Sequence, residues 1–326
     1  MLMQYPLLVL TGANGFIGRH FIRQIKNSNI RIRALTRRVP KQSDGNPHNV
    51  EWVIGDINDP GVWNKLLEPD CLVVNLAYSQ VTALDDALST SRVMAEACSK
   101  VKISRLVHCS TLSVYGKTAR GTIDELTPCI PINQYGRTKL EIDNILLEKN
   151  DGYNLTILRP ATVFGTGGLA LQFMCDNLIR KSHFLNYFRS SLFGYRRLHL
   201  VPVETVVAAL QFLCESKKII NRDIFILSED EDPLNNYRDV EKALMTSFRI
   251  PDYIVSPIPL PSTLLKWLLK AKRSAEVDPN CYYSSSKLKN YGFVSPISLL
   301  AALRSFSEQY EETLVHKPQC EHIENI

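Results

Sequence analysis

Short apolar runs alternate with longer amphipathic stretches through the first half of the chain. The apolar runs predict β-strands at residues 7–10, 30–35, 50–54, 71–76, 105–110 and 155–158. The stretches between them predict helices at residues 16–26, 61–67, 83–100 and 134–149. In the first of these, Ile17, Phe21 and Ile25 form one helical stripe. Because nearly all-apolar strands alternate with helices, we predict an α/β, Rossmann-like, doubly wound parallel sheet covered on both faces.

The pattern becomes irregular beyond Arg159, and the run GTGG at residues 165–168 marks the clearest break. Later segments predict helices at 203–214 and 263–272 and a strand at 223–227. We predict a dinucleotide-binding domain over residues 1–164, to which 198–228 return, and a smaller C-terminal substrate lobe over 165–326. The tail after about residue 313 is expected to fray.

The strongest local motif is TGANGFIG, residues 11–18, which follows the first predicted strand and opens the first predicted helix. That context is required of a dinucleotide fingerprint. Gly12 permits a tight turn, Gly15 lets the backbone approach a pyrophosphate, and Gly18 lets helix and sheet pack closely. Free N–H groups at the helix start would face the phosphates. The predicted cofactor-binding residues of this motif are Gly12, Asn14, Gly15, Phe16, Ile17 and Gly18.

The end of the second predicted strand indicates which dinucleotide binds. It reads Thr36-Arg37-Arg38, with no carboxylate to accept from the adenosine ribose and two guanidinium groups instead. Arginine pairs well with a 2′-phosphate because its planar fork makes bidentate, charge-assisted hydrogen bonds. NADP(H) is therefore favoured, with NAD(H) retained as the alternative if these arginines only face water. Further cofactor contacts are predicted where the third and fourth strands end, at Asp56, Ile57, Leu76 and Ala77.

A second motif lies at the start of the helix predicted at 134–149. Tyr135 and Lys139 are four residues apart and so share a helical face. An ammonium beside a phenol favours the phenolate and lowers the phenol's pKa, so such a tyrosine can exchange a proton with a carbonyl or alcohol oxygen. Ser110 and Thr111 follow the fifth predicted strand, at the strand ends where parallel sheets bind ligands. Their hydroxyls are expected to meet Tyr135 there.

These motifs together resemble the extended short-chain dehydrogenase/reductase superfamily, over about residues 6–230. The glycine pattern, the STLSVYG stretch (residues 110–116), Tyr135 with Lys139, and LRPATVFG (residues 158–165) carry the resemblance. The later segments YRR (195–197) and 287–292 look more like bacterial nucleotide-sugar 4-keto reductases and epimerases of surface-polysaccharide pathways.

The resemblance implies roles for single residues. Tyr135 would be the acid/base and Lys139 would tune it while holding the nicotinamide ribose. Thr111 would bind substrate, with Ser110 as its neighbour. Arg197 would hold the nucleotide pyrophosphate, as pocket arginines do well, although a structural ion pair is an equal alternative. No metal is implied.

Departures from the family pattern reduce the number of reactions that the chain is expected to catalyse. Leu112 and Ser113 stand where sugar 4,6-dehydratases have an acidic pair, so dehydration lacks its catalysts. Thr162 stands where many 4-epimerases have a substrate-contacting Asn. A net reductase gains from a reduced NADPH pool, whereas an epimerase recycles its own cofactor. The sequence therefore favours NADP(H)-dependent reduction of a 4-keto group on a nucleoside diphosphate sugar. A redox-neutral 4-epimerase with tight NAD, a non-catalytic NADP(H) sensor and a reductase of a non-nucleotide carbonyl compound remain alternatives.

Composition and charge indicate which classes of binding partner are not expected. The chain has 326 residues, 45% of them hydrophobic, and a net charge of +5 that is dispersed rather than gathered into a basic stripe. Nucleic acid is therefore not an expected partner. Its eight cysteines show no metal-like spacing and no apolar run is long enough to span a bilayer, so we expect a cytoplasmic protein with reduced thiols. A homodimer is compatible with the sequence.

Two segments allow a second interpretation. Residues 264–273 are rich in leucine and lysine and could form a helix at a membrane interface, although core packing suits them equally and no membrane contact is expected. The aromatic side chains between 184 and 195 could stack on a nucleotide base or fill the core of the second lobe. His108 is expected to be a hydrogen-bonded core histidine.

Overall fold

The structure is a computed structural model of the chain, and it describes residues 5–38, 48–78, 84–116, 121–218, 221–259 and 281–316. The helix predicted at 263–272 lies outside these ranges. So do the last ten residues of the chain.

The main sheet has seven strands in the order β10-β7-β5-β4-β1-β2-β3, and every neighbouring pair is parallel. Its strands are β1 Leu8–Thr11, β2 Ile32–Thr36, β3 Val50–Ile54, β4 Leu72–Asn75, β5 Arg105–Cys109, β7 Asn154–Pro160 and β10 Asp223–Leu227. The strand order reverses beside β1, which places a crevice at the carboxyl ends of β1 and β4. The predicted doubly wound parallel sheet is confirmed.

Helices cover both faces of this sheet. They are α1 Phe16–Ile25, α2 Pro60–Leu66, α3 Leu84–Val101, α4 Gln134–Glu148 and α7 Val203–Glu215. Alternate residues of β1 point to opposite faces, so Leu8 packs in one apolar core with Phe21 of α1, while Val9 packs in another with Trp63 of α2 and Met94 of α3. Both cores are built from apolar side chains of the strands and the helices that cover them.

The second half of the chain adds smaller elements around a third apolar core. These are β6 Thr122–Ile123, β8 Thr162–Phe164, α5 Gln172–Arg180, α6 His183–Phe193, β9 Leu200–Pro202, α8 Tyr237–Ser247, β11 Tyr282–Tyr283, α9 Ser286–Asn290 and α10 Leu299–His316. Phe164, Leu178, Leu244 and Phe306 are buried together in this core. The pairs β8–β9 and β6–β11 form two small parallel ladders.

Two sequence-based boundaries change in the structure. Helix α10 continues to His316, about three residues beyond the point after which we expected the tail to fray. The segment 183–193, which the sequence left as irregular, is helix α6 and is capped by the Ser182 hydroxyl, which accepts from the Leu185 N–H.

Within the described ranges, none of the helices combines the length and the apolarity that crossing a lipid bilayer requires.

Candidate active site

The glycine motif forms a tight cradle between β1, β4 and α1. Gly12 has φ +70°, and a Cβ there would lie 2.7 Å from the carbonyl carbon of Leu76. A Cβ on Gly18 would lie 2.2 Å from the Gly12 oxygen, so both positions exclude any side chain. The first turn of α1 has no side-chain cap and no acidic residue. A backbone cradle that opens onto an uncapped helix start fits the pyrophosphate of a dinucleotide.

A cavity of about 790 Å³ extends from this cradle along the ends of β2, β3 and β4. Predicted cofactor residues that line it are Gly12, Asn14, Gly15, Arg37, Arg38, Asp56, Ile57, Leu76 and Ala77. The other three predicted residues of the motif do not lie in its wall: Ile17 lines the neighbouring cavity, Phe16 packs under the Gly165–Gly168 loop, and Gly18 packs against the backbone of Gly12 and Ala13. Nine residues predicted to contact the cofactor therefore lie in the wall of one cavity.

The turn after β2 is tied to the glycine cradle. Asn14 Nδ2 donates to the Thr36 hydroxyl at 2.6 Å and to the Arg38 carbonyl at 3.0 Å. These bonds hold the backbone of the turn, while the side chains of Arg37 and Arg38 stay exposed at the cavity wall. Among the described residues no carboxylate forms an ion pair with either guanidinium. Both guanidinium groups therefore belong to residues that line the cavity.

A second cavity, of about 500 Å³, adjoins the first and contains the predicted catalytic residues. Tyr135, Lys139, Ser110 and Thr111 all line it. Tyr135 and Lys139 lie in the first two turns of α4, which begins at the Asn133 cap, where the side-chain oxygen accepts from the Gly136 N–H at 2.7 Å. The cap fixes where the helix starts, and hence where these two side chains enter the cavity.

The Tyr135 phenol and the Lys139 ammonium are held by different neighbours. Lys139 Nζ is buried and donates to the Cys109 carbonyl at 3.0 Å. It also lies 4.8 Å from the centre of the Tyr78 ring, and that ring meets Tyr135 edge-on at 5.0 Å. Tyr78 lines both cavities and so stands where they join. The sequence had not marked this residue as part of the site.

The pKa of Tyr135 differs from the sequence-based expectation. We expected the neighbouring ammonium to lower it, but burial raises the pKa of Tyr135 to about 12, opposed by a hydrogen bond with Thr111. Burial also lowers the pKa of Lys139. The phenol is thus protonated at neutral pH, which is the state of a proton donor.

Thr111 and Ser110, adjacent in sequence, have different surroundings. Thr111 caps a short 3₁₀ turn (Leu112–Val114), accepting from the Ser113 N–H at 3.2 Å, and it remains partly exposed to the cavity beside Tyr135. Ser110 is buried, and its hydroxyl donates to Asp143 Oδ2 at 3.0 Å. Thr111, whose hydroxyl also donates to the Ser113 hydroxyl at 3.3 Å, is therefore the hydroxyl that faces the cavity, whereas Ser110 is bound to the buried Asp143.

Asp143 lies one turn beyond Lys139 on α4 and is completely buried. Its Oδ2 accepts from Arg159 at 3.0 and 3.1 Å as well as from Ser110. Burial raises the pKa of Asp143, while Arg159 and Ser110 oppose that rise. Arg159 in turn donates to the Tyr115 hydroxyl at 3.1 Å. This charge pair joins α4 to β7 directly beneath the catalytic residues.

The strand ends beside the site carry a second polar pair. Asn75 Oδ1 accepts from the Thr11 hydroxyl at 2.6 Å, so its Nδ2 is the group that meets His108 Nδ1 at 2.9 Å. His108 Nδ1 is therefore an acceptor, and its proton is on Nε2, 3.6 Å from Asp143 Oδ1. Burial keeps the pKa of His108 well below its ordinary value. His108 is a neutral core histidine, as predicted, and it connects the glycine motif to α4.

His199 forms the wall of the catalytic cavity opposite α4, together with Tyr283. His199 Nδ1 lies 2.7 Å from Asp230 Oδ2 and its Nε2 lies 3.5 Å from Cys281 Sγ. Arg197, predicted to hold a pyrophosphate, donates to the Asp230 carbonyl at 2.5 Å and lies over the Tyr282 ring. The wall of the catalytic cavity thus contains a histidine–carboxylate pair. Arg197 stabilises this pair through its hydrogen bond to the Asp230 backbone. The described residues hold no cluster of three metal-binding side chains.

The His199–Asp230 pair predicts a pH-dependent stability. Burial lowers the pKa of His199, but Asp230 and Cys281 raise it further, to about 9 from an ordinary 6.5. The pair therefore stabilises the fold fully below about pH 6.5, and this stabilisation is lost as pH rises to about 9. His199→Gln is expected to lower the free energy of unfolding in urea by about 1–3 kcal/mol at pH 6. The difference in free energy of unfolding between His199→Gln and the wild-type protein should be smaller at pH 9 than at pH 6.

The exposed His48, in the turn before β3, provides the matched control. His48→Gln should change the free energy of unfolding little at either pH. A His199→Gln difference that is equal at pH 6 and pH 9 would contradict a charged His199.

The NAD dependent epimerase/dehydratase family has a model that matches residues 8–190. The matched range holds the glycine cradle, Thr111, Tyr135 and Lys139. Among curated proteins, the chain is similar to the "Probable UDP-arabinose 4-epimerase 3" of Arabidopsis thaliana. They are 25% identical over 185 residues, which cover 49% of this chain and 44% of that protein. The chain spans about half the length of the curated relatives it matches.

Solved structures resemble the chain over nearly its whole length. UDP-glucuronic acid 4-epimerase from Bacillus cereus, in complex with NAD, has a TM-score of 0.72 at 18% identity and covers 96% of this chain and 99% of its own. The dTDP-glucose 4,6-dehydratase from Bacillus anthracis, in complex with NAD, has a TM-score of 0.71 at 16% identity, with 95% and 98% covered. At these identities the likeness establishes the shared fold.

Proposed function

This chain belongs to the NAD dependent epimerase/dehydratase family, and from that premise we propose that it is an NADP(H)-dependent oxidoreductase that reduces the 4-keto group of a nucleoside diphosphate sugar. The observation that carries the proposal is the cavity in which Tyr135, Thr111 and Lys139 meet beside the glycine cradle. A nicotinamide dinucleotide, when bound, supplies the hydride in such chemistry. Gly12, Gly15 and the start of α1 would hold its pyrophosphate.

Tyr135 would give its proton to the sugar oxygen as the carbonyl becomes an alcohol. The high pKa of the buried phenol keeps the proton in place until an acceptor develops negative charge beside it. Thr111, hydrogen-bonded to the phenol, would donate to the same oxygen and orient it. Lys139, buried and positively charged, would stabilise the phenolate that remains.

Arg37 and Arg38 support NADP(H) as the cofactor. Both guanidinium groups lie at the wall of the cofactor cavity, at the strand end where an adenosine ribose would be recognised. Thr36, rather than an acid, ends β2, and its hydroxyl is occupied by Asn14 and the Arg38 carbonyl. The turn therefore presents positive charge toward a 2′-phosphate, and it offers no β2-end carboxylate to the ribose hydroxyls of NAD.

The experiment that tests the cofactor is a fluorescence titration with NADPH and NADH. The wild-type protein is expected to prefer NADPH by tenfold or more, which corresponds to about 1.4 kcal/mol. Arg37→Gln/Arg38→Gln should weaken NADPH binding at least about tenfold and leave NADH nearly unchanged, because only the phosphate contact is lost. Arg23→Gln, an exposed arginine in the last turn of α1, is the matched control and should change neither affinity. Equal affinities for NADPH and NADH in the wild-type protein would contradict the assignment.

A redox-neutral 4-epimerase is the second candidate, because the curated relative named above is a UDP-arabinose 4-epimerase. The same phenol would then act in both directions, first as base and then as acid. Purified protein given a UDP-sugar and no added cofactor would interconvert the C4 epimers only if it carries NAD tightly. Consumption of NADPH with a nucleoside diphosphate 4-keto sugar, and no epimerisation without cofactor, supports the reductase.

A further inference from the structure

The ring of Tyr78 covers one face of α4 at the place where the two cavities join. Tyr135, Thr138 and Lys139 share that face, because residues spaced i, i+3 and i+4 are neighbours on a helix. Tyr135 meets the ring edge-on, with the two ring centres 5.0 Å apart. The Tyr78 phenol is hydrogen-bonded to Thr138, and Lys139 Nζ lies over the ring, 4.8 Å from its centre. One side chain from outside the helix therefore contacts three side chains of its catalytic face.

The backbone around Tyr78 is tied to the main sheet. Tyr78 follows the last residue of β4 by three positions. Just before it, the Ala77 N–H donates at 3.3 Å to both the Thr11 hydroxyl and Asn75 Oδ1. Asn75 is itself buried, between Thr11 and His108. The ring thus extends from a turn that two strands of the sheet hold in place.

Lys139 has few other partners for its charge. It is only 3% exposed, and burial lowers the pKa of its ammonium. An ammonium has three N–H donors, and within the described ranges the protein accepts one of them, through the Cys109 carbonyl. No carboxylate in those ranges forms an ion pair with Lys139. The negative face of the Tyr78 ring meets the same ammonium and favours its charged form.

The titratable groups around Lys139 do not replace this contact. Asp143, one turn further along α4, favours the ammonium, but its Oδ2 already accepts from two nitrogens of Arg159 on β7. The remaining neighbours are kept in their uncharged forms by burial: His108, Cys109 and Tyr135. None of these groups therefore brings an uncompensated negative charge to Lys139 at neutral pH.

We propose that Tyr78 is a positioning residue, whose ring face holds Lys139 as a charged ammonium beside the Tyr135 phenol. A cation against an aromatic face is stabilised most where water is excluded, and Lys139 is buried. This inference rests on the proposed function, in which Lys139 stabilises the phenolate that Tyr135 becomes after giving its proton. Without the ring, Lys139 would lose its charge at a lower pH, and the reaction would lose that stabilisation with it.

The test measures the pKa of Lys139 directly, by NMR of the full chain carrying isotope-labelled lysine. The Lys139 signal is assigned by its absence in Lys139→Gln. Tyr78→Leu keeps an apolar side chain but removes the aromatic face, so it should lower this pKa, with an acid dissociation constant about threefold to thirtyfold larger. Tyr78→Phe keeps the face and should leave the constant within about twofold of the wild-type value.

The pH dependence of turnover provides a second readout. In Tyr78→Leu, the alkaline limb of the pH profile for single-turnover NADPH oxidation should move to lower pH by the same factor as the NMR titration. The NMR measurement needs no substrate. A pKa that falls as expected in a protein that reduces no 4-keto sugar would therefore contradict the proposed reaction and leave the role of Tyr78 standing.

Phe173 is the matched control, because its ring lies 5.7 Å from the Arg189 guanidinium and lines neither cavity. Phe173→Leu should leave the pKa of Lys139 unchanged. Circular dichroism shows whether each variant is folded. If Tyr78→Leu does not fold, trifluorophenylalanine in place of Tyr78 keeps the shape of phenylalanine with a weaker negative face, and the pKa of Lys139 should lie below that in Tyr78→Phe.

Two results would overturn the proposal. One is a pKa of Lys139 that is the same with and without the aromatic face. The other is a pKa that rises in Tyr78→Leu, which would mean that the ring only keeps water away from the ammonium.

Discussion

Replacing Tyr135 with phenylalanine is expected to lower kcat by about a hundredfold to ten-thousandfold while leaving NADPH affinity within about twofold. The phenol is hydrogen-bonded to Thr111 in the cavity, and burial keeps it protonated at neutral pH. Removing only the hydroxyl preserves the edge-on contact between this ring and Tyr78. The loss should therefore appear in the chemical step, measured as single-turnover NADPH oxidation, rather than in binding.

Two further tyrosines make the assignment of Tyr135 testable. Tyr195→Phe removes an exposed phenol from the second lobe and should leave kcat unchanged. Tyr78→Phe removes the neighbouring phenol but keeps the ring that lies over Lys139. If Tyr78→Phe abolished turnover and Tyr135→Phe did not, the proton donor would be Tyr78. Loss of NADPH binding in Tyr135→Phe would likewise mean that the residue supports the cofactor cavity rather than the reaction.

The main sheet was predictable because each of its strands is a short, nearly continuous apolar run. The six strands predicted in the first half all exist, and each differs from the structure by no more than three residues at an end. The strand at 223–227 was also correct and completes the sheet beside β7. The prediction succeeds here because both faces of a parallel sheet are covered. Each strand is therefore a nearly continuous apolar run, which the sequence shows directly. Helix α6 was missed because its aromatic residues are split between buried and exposed positions, with Tyr187 packed against Tyr253 and Phe184 in water.

Residues of the candidate site were predictable where a short sequence motif sets their position. The glycine cradle, Thr111, Tyr135 and Lys139 lie where a strand end and a helix start place them. Their individual roles stay predictions. Tyr78 and His199 were missed because each reaches the cavity through long-range packing, which no sequence spacing encodes. Asp143 had a usable signal, since it lies four residues beyond Lys139 on the same helical face.

Arg197 illustrates how the fold decides between two uses of one side chain. From the sequence, a pyrophosphate contact and a structural ion pair are equally supported for Arg197. In the structure its guanidinium donates to the Asp230 carbonyl and lies over the Tyr282 ring. That arrangement supports the loop that pairs Asp230 with His199. On this side His199 and Tyr283 line the catalytic cavity, and the pyrophosphate role of Arg197 stays a prediction.

Removing the Asp143 carboxylate is expected to cause the largest loss of stability. In Asp143→Ala the Arg159 guanidinium, itself 4% exposed, would lose the only carboxylate that pairs with it among the described residues. Breaking one side of a buried ion pair costs about 3–5 kcal/mol, because the remaining charge stays desolvated. The Ser110 hydroxyl would lose its acceptor as well. The measurement is the free energy of unfolding in urea, read by circular dichroism at neutral pH.

The same helix provides the control for Asp143. Glu141 is an exposed carboxylate two residues earlier on α4, and Glu141→Gln should change the free energy of unfolding by less than about 0.5 kcal/mol. In Asp143→Ala/Arg159→Met the unpaired charge is also gone, so the double variant should lose less than the sum of the two single variants. Strict additivity would contradict a buried ion pair. A small loss in Asp143→Ala would mean that water reaches Arg159, and that α4 is held to β7 by its apolar contacts alone.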